Sequence, residues 1–580
     1  MERRVLLAIF LAFLVLYGYQ MLLVPPPPQP AETATQPVPA AAASATESQP
    51  AQTAAPPSVA VAPEAATSEA EPLVSDTTER PIRVETPTVV ATFTNRGARL
   101  QSWRLKNYLD ASGQPQELIP EPTAAGHPLP LSLRADDEAL TATLNSALYR
   151  VSGAPSGSAT ITSPTSIAFE YSDNSGLQVR KTFRLDPATY VVRIESSVLR
   201  NNSPVQTTVE WGPGLASTGI QRSSWVRGSG GVLYLTEIER IAPDSIAEQP
   251  ARDGDFRYVG VEDHYFLSVV IRPGPSQVTY QAIAMQPPPG SEEAAQSLVS
   301  YSVRPTAPAA GLDFFVGPKD FDVLAGVDSE LVRAIDFGMF AFLVVPLLRA
   351  LSWINAYVGN YGFSIIILTV LINAVMFPLR HKSVVSMRRM QAIQPEAKAI
   401  QERYKNLKAT DPAKQKMNQE LMALYRERGV NPASGCIPML LTFPVLLAFY
   451  SLLTVSIELR GAPFIGWIQD LSQPDPLYIT PVLMGASQFL QMSMTPQVGV
   501  DPAQQKMMKF MPVLFMVFFL WTPAGTVLYW FVSNLWAIGQ QYLTNYIIGP
   551  PQVRMVRPPA ERKVKRVGSG KTSDAAGNEK

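Results

Sequence analysis

Polar side chains recur inside the apolar stretches of the second half of this 580-residue chain. Thr369 and Asn373 are four residues apart in the apolar run 361–379, so a helix would place them on one face. A polar group in hydrocarbon is costly unless it meets a partner or water. The other apolar runs carry such residues too: Thr442, Ser487, Gln488, Gln491, Ser533, Asn534, Gln540 and Gln541. The pattern favours a shared, partly hydrated cavity, and hydrogen bonds between neighbouring helices are the alternative.

The sequence lacks the motifs of several reaction classes. It has no G-x-x-x-x-G-K-[ST] phosphate loop, no H-E-x-x-H zinc motif and no G-x-S-x-G nucleophile motif. One cysteine and three widely spaced histidines form no local metal motif, so we expect no metal and no cofactor. The run from Glu262 to Tyr265 could act in acid–base chemistry, but a surface or strand-end cluster fits better. These observations argue against an enzyme. No Asp, Glu, Lys or Arg lies in the middle of an apolar run, which disfavours ion pumping.

The elements that position these residues begin with an apolar run at 5–24, preceded by two arginines. Its length suits an uncleaved membrane anchor with a cytoplasmic N-terminus, and 1–24 is expected to form it. Residues 25–80 are rich in Pro, Ala, Thr and Ser, which indicates a disordered linker.

Residues 81–325 have the alternating pattern of short strands, for example in 88–105, 177–185 and 189–199. Turn signals such as Asn95-Arg-Gly97 and Asn174-Ser-Gly176 separate these runs. The pattern predicts an all-β sandwich domain on the outer side of the membrane.

Residues 326–358 are expected to connect this domain to the membrane. Pro346 and Arg349 favour a helix lying along the interface. Spanning helices are predicted at 361–379, 437–459, 478–494, 510–521 and 525–547. With the anchor they make six spans and place both termini in the cytoplasm. The distribution of Lys and Arg agrees, since the segment 380–435 has twelve and the segment 460–477 only Arg460.

Residues 382–430 show two amphipathic patterns with 3-4 spacing, which predict an antiparallel helical hairpin in the cytoplasm. Pro395 is expected to mark the start of a helix. The outer face of the hairpin is predicted to be basic and to approach anionic lipids. The residues assigned to it are Arg388, Arg389, Lys398, Arg403 and Lys405. A basic tail follows at 548–580.

Long stretches of the chain resemble the YidC membrane protein insertase family. They include "FPLRHKSVVSMRRMQAIQPEAKAIQERYK", "NPASGCIPMLLTFPVLLAFY" and "DPAQQKMMKFMPVLFMVFFLWTPAGTVLYWFVSNLW", and in the first half "VVATFTNRGARLQSWRL". The resemblance implies a multi-pass α-helical protein of the bacterial inner membrane, with a large periplasmic β-supersandwich. It also implies a five-helix core at 359–547 that surrounds a hydrophilic groove and carries the hairpin.

The resemblance further implies that the chain inserts, folds and assembles inner-membrane proteins, alone or with the Sec translocon. Nascent membrane proteins would be its substrates, and the ribosome and targeting machinery would contact the hairpin and tail. The residues implied in the groove and its sliding face are Thr369, Asn373, Thr442, Leu446, Met484, Gln488, Phe518, Tyr529 and Trp530.

One departure from the family concerns the groove. Many members carry an arginine where this chain has Asn373, and no mid-span Lys or Arg is expected nearby to replace it. A neutral groove is therefore predicted. The alternatives are a transporter or channel with a periplasmic solute-binding domain, or an outer sugar-modifying enzyme on an anchor. Transporters usually have inverted repeats, and the sequence shows none, which disfavours that alternative.

Overall fold

The computed structural model describes residues 71–110, 112–120, 127–154, 160–215, 228–285, 296–307, 311–404, 413–430, 437–494 and 502–548. The predicted anchor and basic tail, Lys405 and Cys436 lie outside the described residues, apart from Ile548 at the start of that tail. The described residues fall into two compact units, one of residues 397–427 and one of residues 71–396 with 428–548.

The first half of the larger unit consists mainly of antiparallel β-strands. In chain order the strands of the described ranges are β1 (Pro72–Val74), β2 (Pro81–Glu85), β3 (Val89–Thr94), β4 (Arg99–Leu109), β5 (Pro115–Glu117), β6 (Ser132–Arg134), β7 (Arg150–Ser152), β8 (Thr165–Asp173), β9 (Leu177–Leu185), β10 (Val191–Arg200), β11 (Ser203–Pro204), β12 (Thr208–Trp211), β13 (Gly230–Tyr234), β14 (Ile238–Ile241), β15 (Ala251–Glu262), β16 (Phe266–Met285), β17 (Gln296–Pro305) and β18 (Leu312–Pro318).

The strands form two sheets. The larger follows the order β1-β8-β9-β10-β18-β16-β15-β13-β14, with β11 on β10, β7 on β8, and β17, β12 and β6 branching from β16. The smaller sheet has the order β2-β3-β4-β5. The strands and turns predicted from alternation are confirmed. The turn at Asn95–Ala98 separates β3 from β4, and the turn at Asn174–Gly176 separates β8 from β9.

Apolar side chains join the two sheets face to face. The ring of Phe93 on β3 lies 4.9 Å from that of Phe183 and 6.4 Å from that of Phe169, measured between centroids. The Trp103 indole on β4 donates a hydrogen bond of 2.8 Å to the Val316 carbonyl on β18. These contacts confirm that the domain is a sandwich with a core between its sheets.

Two predictions for this domain are wrong in detail. The linker was expected to reach residue 80, but β1 already pairs with β8, and the Arg80 amide donates to Asn95 Oδ1 at 2.8 Å. The domain also contains helix α1 (Glu138–Ser146), which an all-β reading omits. Asp137 caps it by accepting from two amides of its first turn. A second short helix, α2 (Phe321–Val327), follows the last strand.

The second half is helical. Its helices in chain order are α3 (Ala341–Val358), α4 (Tyr361–Ala392), α5 (Gln394–Arg403), α6 (Ala413–Glu427), α7 (Ile437–Val455), α8 (Ile479–Met494), α9 (Pro502–Phe518) and α10 (Ala524–Ile548). Among the described helices, α3 and α4 are long and apolar enough to cross a membrane. Shorter apolar helical segments lie at Phe443–Val455 and Phe510–Trp521.

Helix α3 buries one stripe of side chains and exposes the opposite one. Val344, Leu348 and Leu351 are buried against α4 and α7, whereas Trp353 and Tyr357 are exposed. This division is typical of a helix that packs on protein with one face. The interfacial orientation of α3 stays a prediction, because its length and composition would also suit a span.

Helix α4 is longer than predicted. The sequence suggested that the span ends at Leu379 and that a loop begins at Arg380, but the helix continues to Ala392. The next helix, α5, begins at Gln394 with Pro395 in its first turn, as predicted. Within the smaller unit, Arg403 and Tyr404 both bond the Glu420 carboxylate, at 2.9 and 2.7 Å, and thereby join α5 to α6.

Candidate functional site

Asn373 lies on the buried face of α4, with 3% of its surface exposed. Its Nδ2 donates to the Thr369 carbonyl at 2.8 Å, and the Thr369 hydroxyl donates to the Ile365 carbonyl at 2.6 Å. Both side chains thus donate to main-chain carbonyls one helical turn earlier, so neither donor needs a water molecule as its acceptor. The Asn373 side-chain oxygen remains as an acceptor for another group.

Arg380 supplies that group. Its Nη1 donates to Asn373 Oδ1 at 2.7 Å from two helical turns further along α4. The sequence predicts no mid-span Lys or Arg near Asn373, but Arg380, expected beyond the end of the span, brings its guanidinium to Asn373. Seven residues bring a side chain back to the same helix face, so the spacing alone could have revealed the pair. We refer to Thr369, Asn373 and Arg380 as the α4 polar line.

Polar side chains also connect α8 with α10. Trp530 Nε1 donates to Gln488 Oε1 at 2.7 Å, and Asn534 Nδ2 donates to Ser487 Oγ at 3.1 Å. These bonds satisfy buried polar groups between two helices. For these four residues the structure therefore agrees with the alternative of hydrogen bonds between helices.

Tyr529 joins α10 to α7. Its ring stacks on Phe449 with centroids 4.2 Å apart and planes at 12°. Its hydroxyl also lies within electrostatic range of the Arg380 guanidinium. Tyr529 and Trp530 thus point to different neighbours, because adjacent residues of a helix lie about 100° apart around the axis.

The residues implied in an apolar sliding face lie in different environments. Phe518 is 46% exposed and Leu446 is half-buried. Met484 is fully buried with Phe519 and Val527, and its place on an accessible sliding face stays a prediction. Close approach of α8 to α9 encloses it, since a side chain at Gly485 would meet Met516. Thr442 lies on α7, in a part of that helix whose side chains are not described.

The basic residues assigned to the hairpin are not all on its surface. Arg389, Lys398 and Arg403 are exposed. Arg388 is only 8% exposed, because it belongs to the buried face of the extended α4, and its part in the basic hairpin stays a prediction. Lys405 lies outside the described residues.

The segment 460–477 covers the ends of α4 and α10. Asn360 Nδ2, at the start of α4, donates to the Phe464 carbonyl at 3.0 Å. The Gly525 amide, at the start of α10, donates to the Leu471 carbonyl at 2.9 Å. The main-chain carbonyls of this segment therefore accept hydrogen bonds from the starts of both helices and close that end.

Asp475 fixes the path of this segment into α8. It accepts hydrogen bonds from Trp467 Nε1 and from the amides of Leu477 and Thr480, at 2.7 to 2.9 Å, and from the Thr480 hydroxyl at 2.8 Å. Burial alone would raise the pKa of Asp475, but these bonds outweigh burial and lower that pKa below its ordinary value.

The β domain contacts the end of α7 directly. His264 Nε2 lies 2.8 Å from the Thr454 carbonyl, and the Arg460 guanidinium lies over the Phe266 ring at 5.1 Å. Arg460 Nη2 also donates to Gln116 Oε1 at 2.6 Å. The run from Glu262 to Tyr265 lies where β15 ends and before β16 begins. It is therefore a strand-end cluster, but Glu262 and Asp263 are buried and not at the surface.

Comparisons with known proteins place this arrangement in a family. A family model described as the 60Kd inner membrane protein matches residues 353–550, and one described as the YidC periplasmic domain matches residues 81–350. The chain is 33% identical over 564 residues to the membrane protein insertase YidC of Geotalea daltonii, covering 94% of this chain and 99% of that protein. The chain belongs to the YidC membrane protein insertase family.

A further relative agrees with this assignment. The YidC insertase of Geobacter metallireducens is 35% identical over 573 residues, which cover 96% of this chain and all of that protein. A crystal structure of an active YidC insertase with its first transmembrane domain resolved covers 82% of this chain, at 18% identity and a TM-score of 0.35. The similarity in sequence extends through both the β domain and the helical part of the YidC chain.

Proposed function

We propose that the chain inserts and folds proteins of the bacterial inner membrane and that it is not an enzyme. The observation that carries this proposal is full-length similarity to relatives named membrane protein insertase YidC. The structure supplies chemistry in agreement with that function, namely a line of polar side chains that ends in a guanidinium, on a helix whose segment 361–379 is mostly apolar.

The α4 polar line is the proposed polar wall of an intramembrane groove. A polar segment of a substrate that enters such a groove crosses less hydrocarbon than it would in plain lipid. Burial of the adjoining apolar segment in the bilayer then supplies the driving force. The groove is cationic and not neutral in this proposal, because Arg380 is held on Asn373.

The proposed topology has six spans, with both termini in the cytoplasm and the β domain in the periplasm. The proposed domains are an anchor at 1–24, a linker at 25–70, a β domain at 71–325, connecting helices at 326–358, a core at 359–547 and a tail at 548–580. The bias of Lys and Arg toward 380–435 supports this orientation.

The proposed partners follow from the same orientation. Exposed Arg389, Lys398 and Arg403 support contact of the cytoplasmic hairpin with anionic lipids, the ribosome and targeting machinery. The Sec translocon is the proposed partner for larger substrates. Nascent membrane proteins are the substrates.

Reconstitution tests the function directly. Liposomes that contain the pure full-length chain are expected to insert a small single-span protein made in a cell-free system, and protease protection of its translocated end reports insertion. Protein-free liposomes and liposomes with Arg380→Gln are the controls, and the variant is expected to insert more slowly. Absence of insertion together with flux of small solutes would favour a transporter instead.

A further inference from the structure

Two buried side-chain N–H groups on α10 have no acceptor among the residues that the structure describes. They are Trp536 Nε1 and Gln540 Nε2, four residues apart. Gln540 is only 6% exposed. A buried donor without an acceptor destabilises the state in which it is buried, so such a pair calls for an explanation. We refer to Trp536 and Gln540 as the donor pair.

The donor pair belongs to one stripe of α10. Tyr529, Trp536, Gln540 and Thr544 have the spacing of a single helix face. Tyr529 contacts Phe449 of α7 at one end of this stripe. The Thr544 hydroxyl lies 3.4 Å from His381 Nδ1 of α4 at the other. The donor pair therefore lies between the contacts of α10 with α7 and with α4, on the stripe whose Tyr529 also interacts electrostatically with Arg380 of the α4 polar line.

We propose that the donor pair binds main-chain carbonyl groups of the extended polar segment of a substrate. This inference rests on the insertase function proposed above. A helical segment bonds its own carbonyls, but an extended segment has carbonyls that need outside donors when water is scarce. An indole N–H and an amide N–H supply such donors without a charge.

The spacing of the donor pair fits this ligand. Four residues of an α-helix rise by about 6 Å. Carbonyls on one side of an extended chain recur every two residues, which is about 6.4 to 6.8 Å. Two successive carbonyls of the same side can therefore bond both donors at once. Because every residue has a main-chain carbonyl, such binding would not depend on the substrate's sequence.

The chain offers a matched control in the neighbouring residue. Gln541 is also buried, but its Nε2 already donates to Asn545 Oδ1 at 3.2 Å. Gln541→Leu thus removes an amide of the same type that has a partner within the helix. Gln540→Leu removes the unpartnered amide, and Trp536→Phe removes the other donor while it keeps an aromatic ring.

The experiment uses full-length chains in liposomes and a synthetic peptide with one apolar span and an uncharged polar tail. The tail is made with normal amides or with two same-side amides replaced by esters, whose carbonyls accept hydrogen bonds more weakly. The wild type and Gln541→Leu are expected to insert the amide tail faster than the ester tail, by about threefold to tenfold. Gln540→Leu and Trp536→Phe are expected to bring this ratio close to one.

The ratio separates binding from a merely structural role, since a destabilised protein would insert both tails more slowly. Agreement of Trp536→Phe with Gln540→Leu guards against misfolding of either variant. The same ratio of amide-tail to ester-tail insertion rates in all four proteins would overturn the inference. Water would then be the acceptor for the donor pair. A wild type that inserts neither tail would overturn the insertase proposal and this inference with it.

Discussion

Asn373 and Arg380 bond one another on the half-buried side of α4. Asn373→Leu removes the acceptor and Arg380→Met the donor, so each change breaks the same bond. A hydrogen bond to a charged group is worth about 1.5 to 3 kcal/mol. We expect each variant to slow insertion and the double variant to be little worse than either single one. Rates of insertion into liposomes, taken as a double-mutant cycle, check this.

Asn373→Gln is the matched control for this cycle, because the longer side chain keeps an amide oxygen for Arg380. It is expected to retain more activity than Asn373→Leu at equal protein amounts. Equal rates for the two variants, or strictly additive losses in the cycle, would exclude a role for this bond.

Lys181 is a fully buried cation of the β domain. Its Nζ donates to the carbonyls of Gly97, Ala98 and Leu131 at 3.0, 2.6 and 2.8 Å. Lys181→Met leaves three buried carbonyls without this donor, and we expect a loss of about 3 kcal/mol or more in the stability of the domain. Hydrogen exchange of residues 97–100 and 131–134 measures it. Arg180→Met, at a side chain that is 65% exposed, should change little.

The sequence predicted part of this arrangement of side chains. Helical spacing correctly placed Thr369 and Asn373 on one face. It missed Arg380, because a charged residue was taken to end the span, although a long side chain can extend back along its own helix. The burial of Met484 was not predicted, since accessibility depends on how closely α8 and α9 approach, which periodicity does not determine.

Gly362 permits the contact between α4 and the segment 460–477. A side chain at this glycine would overlap the Phe464 ring. We expect Gly362→Ala to destabilise the protein by about 1 to 3 kcal/mol through overpacking. Gly539→Ala in α10, where an added Cβ meets nothing, is expected to be neutral or slightly stabilising. Apparent melting temperatures of the two variants in detergent compare them, and equal values would contradict the packing argument.

Asp475 makes the entry into α8 sensitive to acid. Its pKa is lowered in the folded protein, so its carboxylate contributes stability that is present above its unfolded pKa of about 3.9 and is lost as pH falls through the folded value. Asp475→Asn does not titrate there and replaces one acceptor oxygen with a donor. We expect the variant to melt below the wild type at pH 7 and the gap to narrow below about pH 4. A gap that is constant from pH 7 to pH 3 would contradict this.

At the scale of elements, local patterns were informative where one face of an element is buried. The strands β3, β4, β9 and β10 and the start of α5 follow from alternation, turn residues and proline. The lengths of α4 and of the linker did not follow from the sequence. The helix continues past its apparent end, whereas contacts of residues 71–80 with the β domain shorten the linker. Helix α1 was not predicted, because nine residues are too few to show a clear helical pattern of apolar residues among the strands. The Asp137 cap alone did not reveal it.

The β domain and the helices of the larger unit share contacts that no local pattern could reveal. Arg460 and Gln116 are 344 residues apart in sequence and form one hydrogen bond. The same guanidinium lies over Tyr265 and Phe266. Family resemblance predicts that both parts exist, but the residues that join them emerge only from the folded chain.

Arg460 is therefore expected to determine how firmly the β domain holds the end of α7. Arg460→Ala removes the bond to Gln116 and two cation–π contacts, a loss of about 2 kcal/mol. We expect faster hydrogen exchange in residues 115–118 and 263–267, with exchange in the distant strands β9 and β10 unchanged. Arg104→Ala is the control, because Arg104 is 56% exposed and pairs with the neighbouring Glu117. A uniform rise in exchange throughout the β domain would instead show that Arg460 stabilises the domain itself and does not act mainly at its junction with α7.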